Sequence, residues 1–184
     1  SPGWLENESI WLHMEYKYLL ELLKSGLYEE YFADLKKMGV PFLPYETYGR
    51  SPLENSSFLV SSANFNEKIH GKGFVARLSG STAEFLQMWE LMMNGDKLFT
   101  MQDGVLTFKL APAIPAYLVK DDGKVEATLF GKIKVVYNCG SKRDLIPGQY
   151  TVNGYKLVTA DGDAKTVDAA VISGEYAQDI RDGK

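Results

Sequence analysis

The chain has 184 residues, 45 % of them hydrophobic, a formal charge of −4 and a single cysteine, Cys139. That length and composition allow one domain or two small ones with a sizeable core. The acidic balance, with no basic block, argues against nucleic-acid binding, and the lone cysteine excludes an intrachain disulfide framework and a cysteine-rich zinc site while fitting a cytoplasmic, reducing setting.

In chain order, residues 10–24 (IWLHMEYKYLLELLK) predict a helix with Trp11, Met14, Tyr18 and Leu22 along one stripe. Ile10, Leu12, Leu19, Leu20 and Leu23 widen its apolar surface until it needs partners on more than one side. A second helix is predicted over 27–38, with Glu29 and Glu30 at its start, Lys36 and Lys37 at its end and Gly39 just beyond, which complements both ends of its dipole. Residues 40–78 lose helical period, broken by Pro41, Pro44 and Pro52; only SSFLVSS reads as a short strand or helix turn. A connection of this length predicts a functional loop over a site, and the least protected part of the chain.

A third helix is predicted over 82–93, with Ser81 as N-cap and Glu84 closing a capping box. It is apolar on most faces. After Gly95 the alternation in VLTFKL, KVEATLF, KIKVVYN and KTVDAAVI predicts strands, with Asn153-Gly154 as a hairpin turn and a polar tail from Ser173 as a fraying edge strand. The order is α+β: helices in residues 1–95, then antiparallel strands in 96–184. The all-round apolar helices predict either self-association or cover by a preceding part of the same protein, as if the chain were entered partway through.

The chemistry is sparse. Of two histidines, His13 sits on the first helix, and His70 in the loop is expected to be solvated. No H-E-x-x-H, C-x-x-C, Walker or G-x-S-x-G pattern occurs, so neither a metal nor a cofactor is expected. The stretch FVARLSGSTAEF offers an anion site at a helix N-terminus, through the Ser79 hydroxyl and the amides around Gly80 and Ser81. Carboxylates interleaved with aromatics, among them Glu6 and Glu54 with Trp4, suit a sugar site, where rings stack and acids hold hydroxyls.

Three segments carry a family resemblance. GWLENESIWLHMEYKYLLELLKSGLYEEYFADLKKMGVP resembles a late helix pair of the catalytic toroid of inverting glycoside phosphorylases, the cellobiose and chitobiose phosphorylase type of glycoside hydrolase family 94. RLSGSTAEFLQMWELMMNG looks like that family's T-G-[ST]-A helix, and DGVLTFKLAPAIPAYLV like its leader into a C-terminal β-sandwich. The likeness spans about residues 3–155. It implies about three helices of an (α/α)6 toroid in residues 1–95 and a β-sandwich in 96–184. It also implies phosphorolysis of a β-glycoside, with carbohydrate and inorganic phosphate as small-molecule partners. The family's phosphate histidine falls on His13, its Thr-Gly pair on Ser79 and Gly80, and an acceptor-side glutamate on Glu54. Glu6-Asn7-Glu8-Ser9 stands where Asn-Gly-Gly is expected, and Ser79 where the family has threonine. The family's general acid has no counterpart in this sequence, so the chain alone is expected to be inactive. The alternatives are a non-catalytic carbohydrate-binding or oligomerisation module and a remnant of an inverting hydrolase.

Overall fold

The computed structural model describes residues 1–75 and 79–184, with Ser79 and Gly80 described by backbone alone. It is α+β with antiparallel sheets, and it divides into two units, Ser1–Glu90 and Leu91–Lys184.

In the first unit, α1 (Leu12–Lys24) and α2 (Tyr28–Met38) form the expected αα-hairpin. Leu12, Tyr16, Leu19, Leu20 and Leu23 of α1 and Tyr31, Phe32 and Leu35 of α2 are buried. Gly39 ends α2 in extended backbone, not the left-handed form; a Cβ there would come within 2.7 Å of the Leu35 carbonyl, so glycine serves close approach. Ile10 and Trp11 are not the first residues of α1. They form β1 (Ile10–Trp11), which pairs antiparallel with β2 (Phe58–Leu59), and β2 pairs in turn with β3 (Gly73–Phe74). The stripe formed by Trp11, Met14 and Tyr18 stays exposed.

The long connection between α2 and the next long helix is not loose. It carries the short α3 (Tyr45–Tyr48) and strands β2 and β3, and it buries Tyr48, Ser56, Ser57, Phe58, Leu59, Val60, Asn64 and Phe74. The Tyr48 hydroxyl donates to the Glu54 carbonyl and accepts the Ser56 N–H at 3.1 Å. His70, expected in solvent, is half-buried, with Nε2 2.7 Å from the Asn64 carbonyl. Proline broke the helical period here without preventing burial, because short strands and side-chain hydrogen bonds satisfy the backbone instead.

Helix α4 (Ser79–Asn94) begins two residues before Ser81. Ser81 therefore lies inside the first turn, fully buried, and is not the N-cap. Met88, Met92 and Met93 are buried, whereas Leu86 is exposed, so the helix is covered on one side only.

In the second unit, β4 (Phe99–Gln102) and β5 (Val105–Phe108) form a hairpin whose turn, Asp103-Gly104, has positive φ at both residues. β6 (Lys124–Leu129) pairs with β7 (Ile133–Asn138), as the alternation requires. β8 (Tyr155–Val158) pairs with β9 (Ala164–Val167), and β10 (Ile172–Ser173) joins β5. Asn153-Gly154 is not a hairpin turn: the β8–β9 turn lies at 159–163, where Gly162 donates to the Thr159 carbonyl at 3.0 Å. Gly154 instead passes so close to the Val167 carbonyl that a Cβ would sit 2.6 Å from it. The tail is helical, not a fraying strand. α5 (Glu175–Asp182) buries Ala177 and Ile180 in a core with Phe108, Leu110, Leu129 and Ile172. Among the described residues no helix is long and apolar enough to cross a membrane.

Two measurements check this packing. A methyl on Gly73 would fall 2.4 Å from both the Ser56 Oγ and the Tyr48 ring, which its own hydrogen bonds hold in place. Gly73→Ala is expected to destabilise the first unit by about 1–3 kcal/mol in denaturant unfolding. Glu15 on α1 is buried, and burial pushes its carboxyl from an ordinary 4.5 up to about 8. The folded chain thus holds a proton that the unfolded chain releases. Stability should be greatest below pH 4.5 as far as this group is concerned and fall as pH rises to 8, by on the order of 4 kcal/mol. Glu15→Gln should flatten that slope in melts between pH 5 and pH 8.5.

Candidate functional site

Three segments of the first unit are tied together around Ser57, and one of them reaches the N-terminal turn of α4. The first is the start of α1. Its Leu12 N–H donates to the Ser57 carbonyl at 3.0 Å, which fixes the helix beside β2. The second is the stretch before β2, where the Asn55 side-chain amide donates to the Thr82 hydroxyl at 3.3 Å. The third is the residue after β3: the Val75 carbonyl accepts from both the Ser57 N–H, at 2.8 Å, and the Ser57 hydroxyl, at 2.7 Å. Val75 has φ +56°, which a β-branched residue avoids, and the two bonds from Ser57 hold it there.

This scaffold brings His13 to α4. Nε2 of His13 lies 3.2 Å from Oε1 of Glu84, with the imidazole 32 % exposed and the carboxylate 18 % exposed. Glu84 therefore does not close a capping box; it orients a histidine from another helix. Its second oxygen, Oε2, is buried and has no hydrogen-bond partner among the described residues. Coulomb attraction at this distance and partial exposure is modest, so orientation is the pair's larger contribution.

The other expected site residues divide into two groups. Ser79 and Gly80 form the start of α4, in the same helical turn as Ser81 and Thr82 and one turn before Glu84. The Ser79 hydroxyl lies outside what is described, as do Arg77 and Leu78 of the same motif. Glu54 is exposed and held by Arg50, whose Nη1 donates to Oε2 at 3.2 Å, while Arg50 Nε donates to the Gly73 carbonyl at 2.8 Å. Glu6 is exposed in a turn closed by reciprocal hydrogen bonds between Trp4 and Asn7, each 3.2 Å.

Trp4 belongs to an aromatic ladder that spacing in the sequence did not reveal. Its ring stacks on Phe74 at 4.1 Å with planes 9° apart, Phe74 stacks on Phe58 at 5.4 Å, and Phe58 and Trp11 meet edge to face with centroids 5.0 Å apart. The two tryptophans at the ends keep 37 % and 38 % of their surface exposed. The ladder crosses the sheet from β1 to β3, because the register places Trp11 opposite Phe58 and Phe58 opposite Phe74. Only the strand pairing makes these residues neighbours.

The site thus combines helix-terminal amides, a carboxylate-oriented imidazole and two half-exposed indoles. Such amides and a protonated imidazole bind anions, and indole faces bind sugar rings. Among the described residues no cluster of His, Cys, Asp and Glu is placed to hold a metal ion. No protein-family model and no curated protein matches this sequence.

If the His13–Glu84 pair ties α1 to α4, a double-mutant cycle of His13→Ala and Glu84→Gln should show a coupling of about 0.3–1 kcal/mol in urea unfolding at pH 6, shrinking in high salt.

Proposed function

We propose that this chain supplies the phosphate side of a carbohydrate-active site of the inverting glycoside phosphorylase type. The resemblance in the sequence motivates this reading, and one observation carries it: His13 meets α4, about seventy residues on in sequence, through the 3.2 Å contact with Glu84 in the second turn of that helix. In this reading the amides of Ser79, Gly80 and Ser81 face a phosphate at the positive end of the helix, and His13 donates to the same anion. The Glu84 carboxylate holds the ring so that its donor is aimed before phosphate arrives. No residue of this sequence is assigned as the proton donor for the leaving oxygen, so in this reading the 184 residues bind without turning over. The toroid and sandwich arrangement belongs to the same proposal.

A second reading rests on the aromatic ladder. Trp4 and Trp11, held by Phe74 and Phe58, present indole faces suited to a sugar in a module that only binds carbohydrate. Glu6 and Glu54 would then hold hydroxyls at the rim.

Phosphate titration by calorimetry at low ionic strength separates the two. The first reading expects phosphate binding that weakens at least fivefold in His13→Ala while cellobiose binding survives. Phosphate affinity unchanged by His13→Ala, with cellobiose binding lost in Trp4→Ala, would replace it with the second.

A further inference from the structure

In the second unit, the sheet β10–β5–β4 has an open edge at β4. The Lys109 N–H donates to the Leu98 carbonyl at 2.9 Å, so the β4–β5 register turns the backbone groups of Thr100 and Gln102 toward β5 as well. The N–H and carbonyl groups of Phe99 and Met101 therefore point away from β5, and nothing takes them up among the described residues. Native edges are ordinarily blunted by charge, proline or a bulge. Strands β6, β7, β8 and β9 each carry a lysine: Lys124, Lys134, Lys156 and Lys165. β4 reads FTMQ, with neither charge nor proline. Met101 is 63 % exposed, and the exposed Phe130 ring stacks on Phe99 with centroids 6.1 Å apart, so apolar side chains line this edge.

The edge is self-complementary. A second β4 laid antiparallel about a twofold axis at Thr100 sets Phe99 of each copy opposite Met101 of the other, and each such pair exchanges both of its N–H···O bonds. The same register sets Lys97 of each copy opposite Asp103 of the other. Both residues are exposed, and neither makes an ion pair among the described residues. It also lays the Met101 thioether against the Phe99 and Phe130 rings of the second copy, a favourable sulfur–aromatic contact. A foreign strand would meet the backbone groups alone, whereas a second β4 brings the matching side chains by symmetry. We propose that β4 pairs antiparallel with β4 of a second copy of this chain, joining the two sheets edge to edge about Thr100.

The backbone pattern dictates which substitutions discriminate. The Met101 N–H takes no part in the β4–β5 ladder, so Met101→Pro deletes a donor from the open edge and leaves the hairpin bonds in place. Met101→Lys keeps the donor and gives β4 the kind of charge that its neighbours carry. The competing route to self-association is the exposed apolar stripe of α1. Met14, 55 % exposed on that stripe, is the control, because Met14→Lys disturbs the stripe without touching β4.

The test is sedimentation velocity of the 184-residue chain from micromolar to millimolar concentration, paired with amide hydrogen exchange at both ends of that range. Expected is a reversible monomer–dimer equilibrium that Met14→Lys leaves unchanged and that Met101→Pro weakens at least about tenfold. Met101→Lys should weaken it similarly, and it carries the test if the proline variant does not fold. The Phe99 and Met101 amides should exchange quickly in the monomer and slow at least about tenfold in the dimer, while the Thr100 and Gln102 amides stay protected in both. A monomer throughout the range, a dimer as tight in the folded Met101 variants, or a dimer in which the Phe99 and Met101 amides gain no protection would each overturn the proposal. So would a dimer lost in Met14→Lys.

Discussion

Ser57 is the joint on which the first unit depends. It is buried, and its three polar groups make three bonds to two different segments: its carbonyl accepts from Leu12 at the start of α1, while its amide and hydroxyl both donate to Val75, shortly before α4. Each bond alone is worth about 1 kcal/mol net, but leaving any of these groups unpaired in the interior would cost more. The result is geometric. His13 follows Leu12 directly, so the same joint positions the histidine whose imidazole reaches Glu84 of α4. The unfavourable φ of Val75 is tolerated because its carbonyl is held twice.

The sheet does a second job with the same register. Antiparallel pairing sets Trp11, Phe58 and Phe74 side by side, and Trp4 closes the row. The start of α4, through Thr82, and an aromatic platform therefore share one support. Nothing in either feature requires the other, which is why single substitutions separate the two proposed readings.

The sequence disclosed the fold where local physics decides it. The α1–α2 hairpin, with acids at the start of α2 and lysines at its end, and the β6–β7 pair follow from period and charge, and both stand. It misled where several local signals competed. Asn153-Gly154, Asp103-Gly104 and Asp161-Gly162 all favour tight turns, and tertiary pairing used the last two; Gly154 was required for its small size beside Val167. The tail looked too polar for structure, yet Ala177 and Ile180, three apart, suffice to seat α5 on an existing core. For the site, His13 and the Ser79–Ser81 turn were legible as separate pieces. Glu84 reads as a capping-box residue because a capping box and a partner for a distant histidine look identical along the chain. Along the chain Glu15 reads as an ordinarily solvated glutamate of an amphipathic helix, and its burial shows only once the unit is packed.

The two histidines make the central claim directly measurable. Imidazole 15N shifts recorded during a phosphate titration at constant ionic strength, with chloride as control, report on each ring separately. The account predicts that the His13 nitrogens move and saturate with phosphate but not with chloride, while His70, bonded to Asn64, stays still. A His13 signal unmoved by phosphate, or His13 and His70 drifting together, would contradict an anion site at the start of α4.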